Sequence, residues 1–372
     1  MALLTPVPGD PADPSALQAA LIRAMDGAGP PVVVGTDPAR IGARDIPPGT
    51  ALVLATSGST GIPKRVALTA DALSASARAT AGRIGAGAWV LALPASRIAG
   101  IQVLVRAALA GAPVATVDRT GGAAFEAATR RLPGGIPAFT SLVPAQVRGL
   151  LETAPEALAR FDAVLVGGQQ TPPDLLERAA ARGVRLVRTY GSTETAGGCV
   201  YDGTPLDGVR LRIRSGEVLI TGPVLATAYV DDPAGSARAF PTLDDERWYR
   251  TGDLGSVDGG MLRITGRADN VIVSGGVNIS LDLVESAVHT VPALRDAVVI
   301  GVADETWGEA SVVVTAEGAA HDLADARAAV QSALGAPARP REIVRVDALP
   351  LLASGKPDRV ALRERFGGRR LG

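Results

Sequence analysis

Nine consecutive residues, Thr56-Ser57-Gly58-Ser59-Thr60-Gly61-Ile62-Pro63-Lys64, gather hydroxyls, glycines and one lysine directly after an apolar run at 51–55. Glycines let backbone amides approach a phosphate, hydroxyls donate to it and an ammonium neutralises it, so the string reads as a phosphate cradle. It is not a Walker A loop, because Pro63 precedes the lysine and Arg65 rather than Ser or Thr follows it. Of the 37 basic residues only two are lysines, Lys64 and Lys356, and the other 35 are arginines. A planar guanidinium does not replace a compact, rotatable point charge at a crowded reacting centre. Both lysines are therefore candidates for chemistry, against the plainer alternatives of a surface loop and a solvated tail.

Other positions suit a bound nucleotide. Tyr190 can stack on a purine face, with Gly167 and Gly168 bringing backbone to its edge. Thr193 offers a hydroxyl toward phosphate, and Glu194 a hard oxygen ligand for Mg2+ beside a triphosphate. Asp253, acceptor-only, suits two ribose hydroxyls, and Arg267 can approach the same sugar. Taken singly, Tyr190 could equally be core and Asp253 a turn residue.

The strings Thr56–Lys64, Val166-Gly167-Gly168-Gln169, Tyr190-Gly191-Ser192-Thr193-Glu194, Tyr249-Arg250-Thr251-Gly252-Asp253, Gly266-Arg267-Ala268-Asp269, Gly275-Gly276 and Ser354-Gly355-Lys356 occur in that order over residues 50–360. In this order they resemble the adenylate-forming superfamily of acyl-CoA synthetases, peptide-synthetase adenylation domains and luciferases. The resemblance implies a large N-terminal α/β layered domain over 1–266, shortened at its start. A small, mobile α+β domain over 267–372 would follow. It places Gly168, Gln169 and Tyr190 at the adenine, Lys356 at the reacting phosphate, Asp269 at a hinge, and Gly275 and Gly276 along the coenzyme A passage. Mg2+ is the implied cofactor, with ATP and coenzyme A as substrates. The chemistry gives a second lysine a purpose. A carboxylate attacking an anionic α-phosphate crowds negative charge, which a desolvated cation stabilises. A thiol must later reach the same carbonyl, so that cation has to move away between the half-reactions.

The periodicity supplies the elements that hold these residues. Short apolar runs at 51–55, 89–93, 113–117, 138–142, 163–166 and 184–187 alternate with amphipathic stretches at 101–110, 125–131, 144–151 and 172–182. That pattern predicts an α/β layer architecture with much parallel sheet. Residues 209–220, broken by Ser215-Gly216, predict a β-hairpin. Beyond Asp269 the prediction is a compact module: helix 281–289, strands 296–302 and 311–315, helix 323–334 and strand 342–346. The net charge of −1 carries no footprint for nucleic acid. The first ten residues lack the basic-then-apolar pattern of a secretory signal, no apolar run is long enough to span a membrane, and the single cysteine, Cys199, fits a reducing compartment. A cytoplasmic enzyme is expected, with a homodimer left open. His289, His321 and Cys199 read as structural.

The acid is less directly written. The segment after Leu93-Pro94 reads Ala95-Ser96-Arg97-Ile98-Ala99-Gly100, without the Asp that amino-acid-activating relatives use for an ammonium. Arg97 and Arg106 instead suit a second carboxylate, whose two oxygens match a guanidinium fork. The strings 98–106, 140–146 and 197–203 look like those of o-succinylbenzoate–CoA ligases of menaquinone biosynthesis. That likeness puts Arg106 and Ser141 at the second carboxylate and Gly191 and Ser192 along the aromatic ring. Alternatives are another aryl- or acyl-CoA ligase, a stand-alone adenylation enzyme that loads a carrier protein, and a non-catalytic acyl-adenylate binder.

Overall fold

The alternation between residues 88 and 192 becomes a parallel sheet. In the computed structural model, which describes residues 6–42, 45–56, 64–117, 121–316, 322–351 and 357–366, a seven-stranded sheet runs through the first part of the chain. Its spatial order is Thr204–Pro205, Gly197–Tyr201, Leu186–Ser192, Ala163–Gly167, Ala138–Leu142, Ala88–Leu91, Val114–Thr116. The five strands from 186–192 to 114–116 are parallel, and Gly197–Tyr201 runs back antiparallel to Leu186–Ser192. Successive residues of a strand face opposite sides. Val90, Val164 and Val166 accordingly pack with Phe125, Val147 and Leu158 on one face. Trp89 and Phe139 turn to the other, with ring centroids 5.3 Å apart.

A second sheet pairs Thr50–Thr56 antiparallel with Lys64–Thr69, so that Thr56 stands opposite Lys64. The helix Ile98–Leu109 starts three residues before the sequence pattern suggested, because its first turn has no capping side chain to mark it. Strand Leu186–Ser192 runs past the apolar stretch into Thr189-Tyr190-Gly191-Ser192, polar residues kept extended by pairing with Gly197–Tyr201. Several helices had no predicted counterpart, the longest of them Pro14–Met25 and Ala70–Ile84. The second is mostly Ala, Ser and Thr, with little contrast between its faces. The hairpin is present as Arg210–Arg214 and Glu217–Thr221, with Ser215 and Gly216 both at positive φ as a two-residue turn requires.

The chain divides into two compact units, one of Met1–Arg212, Leu219–Arg250 and Val257–Leu262, the other of Ile213–Val218, Thr251–Ser256 and Arg263–Gly372. In the second unit Val298–Asp304 and Gly308–Thr315 pair antiparallel, and Glu342–Arg345 adds in parallel. Val299 and Val313 meet the helices Leu281–Val288 and Asp322–Leu334, while Val298, Ile300 and Val312 meet Leu362 and Phe366 on the opposite face. Among the described residues no helix is long and apolar enough to cross a membrane.

Candidate functional site

In the first unit Lys64, Tyr229 and Glu194 come together although they are far apart in sequence. Glu194 lies in a tight turn, Thr193–Thr195, that follows strand Leu186–Ser192, and both Thr193 and Glu194 are buried. Ala196 closes the turn in the left-handed region at φ 49°, and its carbonyl accepts from Gln102 Nε2 at 2.8 Å and Ser76 Oγ at 2.9 Å. Segment 226–229 ties the turn to the lysine strand: Ala226 N donates to Glu194 O at 2.8 Å and Thr227 N to Ala67 O at 2.9 Å. This places the Tyr229 hydroxyl 2.9 Å from Glu194 Oε1, while Lys64 Nζ stands 4.8 Å from the centre of the Tyr229 ring. Burial, reinforced by the Glu194 charge, pushes the Tyr229 phenol far above its ordinary range, so it stays a neutral donor. The second Glu194 oxygen takes no hydrogen bond among the described residues.

The ends of the parallel strands, where α/β sheets bind ligands, hold the acyl candidates. Ser141 is buried in strand Ala138–Leu142, one strand from Gly167, beyond which Gly168 and Gln169 are exposed. Tyr190 and Ser192 end strand Leu186–Ser192, and the buried Ser192 Oγ has no hydrogen-bond partner among the described residues. At Gly191 a Cβ would lie 2.2 Å from Gly197 O, so only glycine lets the two strands close here. Arg97 sits at the N-cap of helix Ile98–Leu109 without capping it. Arg106, two turns below, is 7% exposed. Its Nη2 donates to Tyr201 Oη at 3.3 Å and its guanidinium lies 5.3 Å from the Trp89 ring centre. Nε has no partner, and no carboxylate pairs with Arg106 among the described residues. Burial lowers its pKa from the ordinary arginine value. A buried cation lacking a protein anion is expensive to keep, which favours a ligand anion here.

The second unit gathers Asp253, Arg267 and Asp269. Arg267 grips Asp269 with two bonds, Nε to Oδ1 and Nη2 to Oδ2, both 3.0 Å, and donates from Nη1 to Asp253 Oδ1 at 3.0 Å. Its pKa rises above the usual value, chiefly through the Asp269 bond. Thr251 Oγ1 receives the Asp253 amide at 2.9 Å and donates to Val218 O at 2.8 Å, which fixes the loop. Gly275 and Gly276 form the turn between strands Val271–Ser274 and Val277–Ser280. At Gly275 φ is +57° and a Cβ would come 2.7 Å from the Trp307 ring, so a side chain is excluded twice over.

Ser57, Gly58, Ser59, Thr60, Gly61, Lys356 and His321 lie outside the described residues. His289 Nε2 is 2.7 Å from Ala297 O, a packing bond. Cys199 is fully buried, and burial pushes its thiol up to about 12. Iodoacetamide at pH 8 is therefore expected to leave the folded protein unmodified and to alkylate it quickly in denaturant, as read by mass spectrometry. Rapid modification of folded protein would contradict that burial. Tyr229, Tyr201, Thr80 and Trp89 were not singled out from sequence. The signal that exposed the lysines was available: the chain has four tyrosines in 372 residues, Tyr190, Tyr201, Tyr229 and Tyr249.

Comparison with known proteins adds names to this geometry. Residues 23–235 match the AMP-binding enzyme model and 283–356 the AMP-binding enzyme C-terminal domain model. A Mycobacterium tuberculosis protein named probable 2-succinylbenzoate–CoA ligase is 44% identical over 333 residues, covering 86% of this chain and 85% of that protein. The Bacillus subtilis o-succinylbenzoate CoA synthetase, solved with its acyl-adenylate intermediate, superposes with a TM-score of 0.76 at 24% identity over 95% of this chain and 82% of that one, a likeness of fold. An amide bond synthetase of Marinactinospora thermotolerans superposes at 0.74 with 28% identity, over 94% and 78%.

Proposed function

Since the chain belongs to the AMP-binding enzyme family, we propose that it joins 2-succinylbenzoate to coenzyme A at the expense of ATP, through the acyl-adenylate. The observation that carries the choice of acid is Arg106, a buried guanidinium whose Nε has no partner, and which meets no carboxylate, among the described residues. The substrate has one carboxylate to activate and a second on its ring, and the second supplies the missing anion. Ser141 and Ser192, whose Oγ has no partner among the described residues, are the accompanying donors, Gly191 lies along the ring, and Arg97 is a further cation at the start of the Arg106 helix.

In this reading residues 1–266 bind ATP and acid. Thr56–Gly61 and Lys64 hold the phosphates, with Gly168, Gln169 and Tyr190 at adenine. Asp253 takes the ribose hydroxyls and Arg267 supports it from the same hydrogen-bonded group. No cluster of three or more His, Cys, Asp or Glu able to hold a metal occurs among the described residues. Mg2+ would be held by the second oxygen of Glu194, which takes no hydrogen bond among the described residues, together with substrate phosphates, as that ion prefers, and would neutralise charge on the leaving pyrophosphate. Thr193 donates toward the same phosphates. In residues 267–372 Lys356 is the group assigned to the α-phosphate, Asp269 the hinge, and Gly275 and Gly276 the lining of the thiol's path. All ligands are small molecules, consistent with a cytoplasmic enzyme.

Pyrophosphate release over a panel of acids, followed by a choice between coenzyme A and amines as acceptor, tests the proposal. Turnover with benzoates but not 2-succinylbenzoate would overturn the acid, and amide products would overturn the acceptor. Tyr229→Phe is expected to raise the Mg2+ concentration for half-maximal activity about tenfold, the worth of one lost bond to a carboxylate. A Mg2+ titration against unchanged melting temperature reads it, and an unshifted titration would separate Tyr229 from the metal site.

A further inference from the structure

We propose that Tyr201, backed by Thr80, sets the rotation of the Arg106 guanidinium and so determines preference for a diacid over the corresponding monoacid. This rests on the assignment of Arg106 to the second carboxylate. An arginine can only donate, so at 3.3 Å the Tyr201 oxygen accepts from Arg106 Nη2. Tyr201 Oη shares a second hydrogen bond with Thr80 Oγ1, at 2.9 Å. Tyr201 and Thr80 are each 1% exposed, so water does not substitute for either bond. The relay joins three elements: helix Ile98–Leu109, strand Gly197–Tyr201 and helix Ala70–Ile84.

Trp89 restrains the guanidinium from one side, at 5.3 Å from its ring centre. Tyr201 removes the remaining freedom by holding one hydrogen of Nη2. Four hydrogens are left, and two of them lie along one edge of the guanidinium: the Nε hydrogen, which has no partner among the described residues, and the second Nη2 hydrogen beside it. Those two point in parallel and match the two oxygens of a carboxylate. Without the Tyr201 hydroxyl the fork can turn, and the incoming carboxylate must fix it at binding, with the loss appearing as weaker affinity for diacids alone. Tyr201 touches no reacting atom in this account and is a positioning residue.

The test compares adenylation of 2-succinylbenzoate with that of 4-oxo-4-phenylbutanoate, the same molecule without its ring carboxylate. Tyr201→Phe keeps the ring, and the released Thr80 hydroxyl can turn to its own helix carbonyls. The expected result is a rise of about tenfold in KM for the diacid, with kcat, KM for ATP and KM for the monoacid within about twofold. Thr80→Val should act in the same direction and Thr80→Ser should restore the preference. An equal loss with both acids would mean a merely structural role and overturn the inference. If Tyr201→Phe and Thr80→Val leave the ratio untouched while Arg106→Met abolishes it, the inference fails and the acyl pocket stands. If Arg106→Met also leaves the ratio untouched, the proposed acid assignment itself has failed.

Discussion

Lys356→Ala is expected to slow acyl-adenylate formation about 100- to 1,000-fold, the scale of losing one preorganised charge partner in a water-excluded site. Thioester formation from supplied acyl-adenylate and coenzyme A should stay within a fewfold of wild type. The reason is charge bookkeeping along the reaction. Carboxylate and α-phosphate are both anionic and repel until a cation sits between them, whereas a neutral thiol attacking a mixed anhydride presents no such crowding. Lys356 lies outside the described residues, so the expectation comes from its chemistry and its motif and not from placement. The composition strengthens it: arginine replaces lysine everywhere in this chain except at Lys64 and Lys356. Lys356→Arg should therefore fail almost as badly as alanine, since a planar fork cannot bridge the same two oxygens. Single-turnover pyrophosphate release measures the first step and thioester absorbance the second. Equal impairment of both would remove the two-position mechanism.

What the sequence revealed and what it hid follow one physical line. Groups proposed for their own chemistry sit in short strings: the Thr56–Lys64 cradle, Glu194 and Asp253 were picked out by residue type and by the family resemblance of those strings. Strands at 138–142 and 163–167 were legible too, because a fully buried strand announces itself as an apolar run. Groups whose role depends on a distant partner were hidden. Tyr229 meets Glu194 across 35 positions and Tyr201 meets Arg106 across 95, through strand pairing that no local pattern encodes. The same holds for Gln102 and Ser76, whose bonds to Ala196 hold the Glu194 turn across 94 and 120 positions. Arg106 was chosen from its type and neighbourhood. Its burial, and the absence of a counterion and of an Nε partner among the described residues, appear only in three dimensions.

That unpaired burial leads to the second large expectation, in which stability and function move in opposite directions. Arg106→Met replaces a buried cation with an apolar side chain of similar reach. In the free protein it is expected to stabilise the fold by about 1 kcal/mol or more, because desolvating a guanidinium without an anion costs more than the Trp89 face and one bond to Tyr201 return. Removing the charge orphans no carboxylate among the described residues, so the usual penalty for breaking a buried pair is absent. The same change should raise KM for 2-succinylbenzoate about 100-fold or more, the scale of a buried carboxylate losing its charged partner, with KM for ATP little altered. Thermal unfolding with and without the acid separates the two effects. Wild type should start lower and rise on adding the acid, while the variant should start higher and not respond. A variant less stable than wild type in the free state would mean that Arg106 already has a counterion, and the vacancy into which the substrate's second carboxylate is placed would not exist.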